Sequence, residues 1–448
     1  MDSLNTTYLL ASAHVALIIV AFAATARPVV SVYHWFLLTS LIAFGVRPAL
    51  AASVGGYTNY ERTASWQTYN YGLLYQLIFF ACFSGGYVLW YWTRPVATRA
   101  LERMERPRAF WVLIVLGLAA VGILQVSSGG EWLPGARTGT INTAVPGGKY
   151  VFPIAVMAFS TLIPFGAIAY MKRAGVKGWM LAPAVGVSLT TLSLLFMRGM
   201  VITGILLVLW ALEKDAKLKL RHLIAGIIVV FLIGMVLRPI GKYVAVRYLL
   251  GEDDISFAIS AARAVEDMSM ADQIRAVLLY TTNLDDADSW PVVIDYVDEN
   301  GFSNGRSFLA IPARFASTRF RVESGFLTGT DIVNSFFYGA NYEDTSFGFH
   351  VSFANELFLN FGSLGLFFGV LPGLATWLAD SWMRRVRVVT PLSLFVAYIC
   401  FRGFTNEPAQ TVQWAVGALA LALLVELLAG ARLRKPDLPL SEFASSEP

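Results

Sequence analysis

The chain reads as an all-α integral membrane protein, with about eleven transmembrane helices and one large outer loop containing short helices. Three observations predict this. Hydrophobic residues make up 56% of the 448 positions and charged residues 14%, with a mean hydropathy of +0.59. A soluble domain is nearer a quarter charged. Apolar runs recur along the chain at the length of a membrane crossing, roughly 20 residues at 1.5 Å each. The basic residues between these runs form five clusters, which eleven crossings place on a single face.

In chain order, the expected spans lie near 8–24, 29–51, 72–92, 110–127, 150–171, 179–197, 201–212, 222–239, 357–379, 391–404 and 412–430. The first resembles a signal-peptide core in length but has no basic residues before it, so it reads as a retained span. The basic clusters occupy 93–108, 172–178, 213–221, 380–390 and the tail after 430. By the preference of basic loops for the cytoplasm, the C-terminus is inside and the N-terminus outside. Four units follow. Residues 1–240 form a bundle of about eight spans, 241–356 an outer loop, 357–430 about three spans, and 431–448 a cytoplasmic tail.

The outer loop is too long and too mixed to be a linker. Between 241 and 355 it holds 16 of the chain's 30 acidic residues, against 8 basic ones. Segments 258–279 and 291–297 look helical, and 325–348 reads as a Gly- and aromatic-rich loop. The whole is expected to be a small cap over the outer membrane face. Asp285, Asp286 and Asp288 have the look of a metal-binding acidic motif, but solvated charge is the commoner meaning in such a loop.

Several function classes drop out. A net charge of +4 is too small and dispersed for a nucleic-acid partner. Cys82 and Cys400 both lie within apolar runs, and the four histidines show no ligand spacing, so neither a disulfide framework nor a metal or other cofactor is expected. No P-loop, dinucleotide fingerprint, HExxH or GxSxG occurs.

What stands out is positive charge where it is disfavoured. Arg47, Arg198, Arg238 and Arg402 each sit at the outer end of a different expected span, and Lys242 and Arg247 follow just beyond the membrane edge. Any one of them would be accounted for by snorkelling to headgroups. Four at one depth would, if clustered, make a ring suited to a diphosphate, because the guanidinium fork bonds phosphate oxygens in pairs and stays ionised. Arg314 and Arg319 in the loop are weaker candidates for the same ligand or its sugar. His350 and Glu356 flank the start of the ninth span. Either is a candidate general base, and Glu356 is equally placed to complement a helix N-terminus.

Three local stretches then resemble one family. They are Asn304-Gly-Arg-Ser-Phe-Leu-Ala-Ile-Pro-Ala-Arg314, Phe353-Ala-Asn-Glu-Leu-Phe-Leu-Asn-Phe-Gly-Ser-Leu-Gly365 and Met197-Arg-Gly-Met-Val-Ile202. With the layout of many spans, one large outer loop and a few final spans, they resemble the Wzy-type O-antigen and oligosaccharide repeat-unit polymerases. One departure is that Phe315, Ala316 and Ser317 replace the Trp and Lys-Pro often found after Ile-Pro. The resemblance implies transfer of a growing glycan from undecaprenyl diphosphate to a lipid-linked repeat unit, at the outer face of a bacterial inner membrane. It also implies an outer arginine set on the diphosphate, and a chain-length regulator as a partner. An O-antigen ligase-like transferase and a flippase of lipid-linked oligosaccharide are the alternatives. Transporters, however, concentrate functional charge near mid-membrane, where most of these spans carry almost none.

Overall fold

The computed structural model describes residues 3–25, 31–53, 65–94, 287–315, 324–339, 351–385 and 408–428, with short pieces at 103–104, 112, 115–120, 122–123 and 388–389. Most of these residues are helical, with turns between the helices and a two-residue parallel pairing of Arg103–Met104 with Val388–Val389. Among the described residues four helices are long and apolar enough to cross a membrane: α1 (Ser3–Ala24), α2 (Val32–Ser53), α3 (Trp66–Thr93) and, later in the chain, a kinked helix Phe353–Arg385. They coincide with the first, second, third and ninth expected spans. The helix Pro408–Leu428, with its shorter apolar stretch Ala415–Leu428, occupies the place of the last. Of the other expected spans, 110–127 is described only in fragments. Those at 150–171, 179–197, 201–212, 222–239 and 391–404 lie outside the described residues, as does the expected loop helix 258–279.

Among the described residues of 287–339 lie two helices of ten residues or more, α4 (Ser289–Asn300) and α5 (Gly329–Tyr338). The kinked helix is therefore α6 and Pro408–Leu428 is α7. The loop reading of 325–348 is corrected over α5. Its glycines and aromatics hide a helix whose start is written in a capping box, the Thr328 hydroxyl accepting from the Asp331 amide while the Asp331 carboxylate accepts from the Thr328 amide. Two otherwise orphaned donors are satisfied in this way.

Helix directions alternate as membrane crossings require. Asn70, early in α3, bonds Ser3 and Thr7 at the start of α1, and Trp92 at its end donates to the Ala24 carbonyl. These two helices run parallel. α2 runs against them, its early Tyr33 stacking on the late Tyr87 at 3.7 Å and its late Phe44 packing with the early Tyr69 and Leu73. Within α2 a π-helical turn spans Leu41–Val46. It immediately precedes Arg47-Pro48, where the proline lacks an N–H and would crowd the carbonyl of Phe44 in a regular α-turn.

Beyond Gly362, α6 runs parallel to α3 and fits against it through glycines four residues apart, whereas its first segment runs the other way, Phe353 packing on the same Phe79 as Gly369. A Cβ on Gly369 would meet the Phe79 carbonyl oxygen at 2.9 Å, and one on Gly373 would meet that of Phe83 at 2.1 Å. Between apolar helices in lipid, such close backbone approach replaces the hydrophobic drive as the source of attraction. At the far end Trp90 packs on Trp377, and the Asp380 carboxylate accepts from the Tyr87 hydroxyl and from the amides of Val32 and Tyr33. One side chain of α6 thereby caps the first turn of α2 and ties three helices together at that end.

Candidate functional site

The opposite end of the bundle, where α2 finishes, α3 begins and α6 turns at Gly362, carries a buried polar network. Its foundation is apolar. Trp290 of α4 is fully buried, its Cβ and ring lie against Gly72 of α3, and its indole N–H donates to Gln76 at 3.2 Å. A large anchor with a satisfied N–H holds the start of α4 on the outer half of α3.

Two residues earlier, Asp288 meets Arg47. The guanidinium donates to Asp288 Oδ2 at 2.5 Å, and both side chains are nearly inaccessible, at 1% and 3% exposure. Sequence reasoning grouped Arg47 with the diphosphate arginines and gave Asp288 the solvated meaning. The structure buries both and joins them. Two charges withdrawn from water require close pairing, and loss of either leaves the other uncompensated.

Ser289 carries the network onward. Its hydroxyl donates to Asn355 Oδ1 at 2.9 Å, and that oxygen also accepts from the amide and hydroxyl of Ser352. The Ser352 hydroxyl accepts in turn from the Asn355 amide, so this pair caps α6. Glu356 is the next residue, in the first turn of α6. Its carboxylate is wholly buried and lies against Gly329, the first residue of α5, where a Cβ would stand 3.0 Å from Cδ. Its charge therefore lies at the first turns of both α6 and α5.

One turn further on, Asn360 joins α6 to the loop. Its amide nitrogen donates to the Glu356 carbonyl at 2.8 Å and to Ser307 Oγ at 2.7 Å, while its oxygen accepts from the Gly305 amide at 2.8 Å. Ser303 N–H donates to the Leu359 carbonyl, and Phe308 stacks on Phe361. Gly362 then breaks α6 with φ 63°, a conformation natural only to glycine, and the ring of Phe302 fills the space where its Cβ would stand. The pattern Glu-x-x-x-Asn-Phe-Gly-x-x-Gly thus has a physical content. Glu356 meets α5, Asn360 meets Gly305 and Ser307, Gly362 makes the kink, and Gly365 lets the chain pass close to the Leu357 carbonyl.

Of the residues singled out from sequence, Arg47 and Glu356 therefore belong to one connected network. Arg314 lies in the 3-10 turn Ile311–Phe315, which packs against α7. His350, Arg198, Arg238, Lys242, Arg247, Arg319 and Arg402 lie outside the described residues. Asp288, Ser289, Asn355 and Asn360 were missed as partners. Ser352 three residues before Asn355 was a legible capping signal, whereas the pairings of Asp288 and Ser289 cross 241 and 66 residues of chain.

Compared with family models, curated proteins and solved structures, the chain matches none.

Proposed function

We propose that the protein is a membrane glycosyltransferase that extends a polysaccharide from lipid-linked units at the outer face of a bacterial inner membrane. The observation that carries this reading is the hydrogen-bonded joint at Asn360. It brings the two stretches 304–314 and 353–365, each resembling the repeat-unit polymerases, into one site. The donor is a glycan on a polyprenyl diphosphate such as undecaprenyl diphosphate. The hydroxyl oxygen of an incoming lipid-linked unit attacks the anomeric carbon. The bond from that carbon to the diphosphate oxygen breaks, and the polyprenyl diphosphate departs with the electron pair. Arg198, Arg238 and Arg402, with Lys242 and Arg247 nearby, bind the diphosphate and stabilise the charge that develops on it. The hydroxyl proton passes to a base. Glu356 is buried beneath the start of α5, so His350 takes that role and Glu356 positions the loop around it.

The test is the sidedness and length of what accumulates in cells. His350→Ala and Glu356→Gln are each expected to stop chain growth while single lipid-linked repeats collect on the outer leaflet. Units retained on the inner leaflet would instead identify a flippase. Wild-type chain lengths in both variants would remove this site from the reaction.

A further inference from the structure

Beyond the reaction, the loop presents an apolar surface that continues a lipid-facing one. Along α6 beyond Gly362 the exposed large side chains are Leu364, Phe367, Phe368, Val370, Leu371 and Leu378. All but Val370 recur at spacings of three, four and seven, on one helical face turned away from the α3 contact made by Gly369 and Gly373, and Phe361, before the kink, joins them through Phe368 at 6.2 Å. In a membrane-spanning helix that face meets acyl chains. Arg384, at the other end of the helix, is 22 residues beyond Gly362, a rise of about 33 Å at 1.5 Å per residue. A hydrocarbon core is about 30 Å thick. The kink therefore falls at its boundary.

The loop turn meets α6 at that depth. Phe308 stacks on Phe361 at 6.0 Å, the Phe302 ring covers Gly362, and Leu309 beside them is 77% exposed. The exposed Arg306 lies on the same short helix, Arg306–Leu309, and the following turn Ile311–Phe315 packs on α7. An apolar edge flush with the lipid-facing helix surface, carrying one arginine, matches an element lying in the bilayer interface.

We propose that residues 302–309 lie in the membrane interface, with Leu309 and the rims of Phe302 and Phe308 in the acyl-chain boundary and Arg306 at the headgroups. The loop is then held to the bilayer at this turn rather than standing clear of it. The occupant of the surface is lipid, because the patch continues the face that α6 turns to lipid.

The experiment is nitroxide labelling of the full-length protein in phosphatidylcholine–phosphatidylglycerol vesicles, starting from a Cys82→Ala, Cys400→Ala background. Labels are placed by Leu309→Cys, by Asn300→Cys as the water reference and by Leu371→Cys as the lipid reference. Leu309 and Asn300 are exposed, so these replacements remove little packing. At position 309 the ratio of collision rates with oxygen and with a polar nickel chelate should be several-fold higher than at 300, approaching that at 371. A ratio at 309 equal to that at 300 would overturn the proposal. It would also do so if the label were protected from both reagents, since that would mean protein rather than lipid covers the patch.

Discussion

Arg47 illustrates how a residue's chemistry can be legible while its partner is not. Its position at a span end beside Pro48 marked it as unusual charge, but the residue that neutralises it is 241 positions away. A buried pair of this kind is costly to break from one side, by about 3–5 kcal/mol. Arg47→Ala and Asp288→Ala should each lower the unfolding midpoint in detergent and the amount of protein in the membrane. The double alanine variant should be less harmful than the sum of the two, and a double-mutant cycle measures that coupling. The arginines proposed to bind the diphosphate should behave differently. Arg198→Ala, Arg238→Ala and Arg402→Ala are expected to abolish polymer with abundance nearly unchanged, and lysine should restore little, because a point charge lacks the paired donors of the fork. Snorkelling would be the better account if two of the three alanine variants kept full activity.

At the level of elements, composition and hydropathy located the first, second, third and ninth expected spans, because burial in lipid demands apolar length and little else. They did not reveal α5, whose identity rests on the Thr328–Asp331 capping box rather than on an apolar run. Nor did they show how α6 seats on α3. That contact depends on Gly369 and Gly373, which add nothing to a hydropathy profile and matter only once a neighbouring backbone arrives. Gly373→Leu should therefore destabilise by at least the roughly 1–3 kcal/mol typical of overpacking, whereas Gly85→Ala, which meets open space on the same helix pair, should cost far less. α4 carries a second consequence. Burial, reinforced by Asp298 and Glu299, raises the Asp295 carboxyl above its ordinary value of 3.8. The folded state then holds its proton more tightly than the unfolded state does. Relative stability is favoured below the ordinary value and lost as pH rises through the elevated folded one. Asp295→Asn should raise the unfolding midpoint at neutral pH and flatten its dependence across that window.

For the whole molecule, the informative quantity is parity. α1, α3 and α6 beyond Gly362 run one way and α2 the other. For two parallel crossing helices, an odd number of crossings must separate them. Sequence reading expects five between α3 and α6, an odd number reached from charge and hydropathy without reference to packing. The pairing of Arg103–Met104 with Val388–Val389 joins two of the expected basic connections directly beyond the matching ends of those helices. Arg94 over Trp90 and Arg384 near Tyr91 lie on that side, and the network around Arg47, Asp288 and Glu356 lies at the other end. A periplasm-active reporter fused at Asp286 should accordingly be active, and one fused after Arg106 or at the C-terminus should be silent, with a cytoplasm-active reporter giving the reverse. Matching signals at Arg106 and the C-terminus test parity, while the sign at Asp286 tests orientation. If Arg106 and Asp286 reported the same side, parallel packing of α3 and α6 across a bilayer would be untenable, and the proposed outer site would lose its compartment.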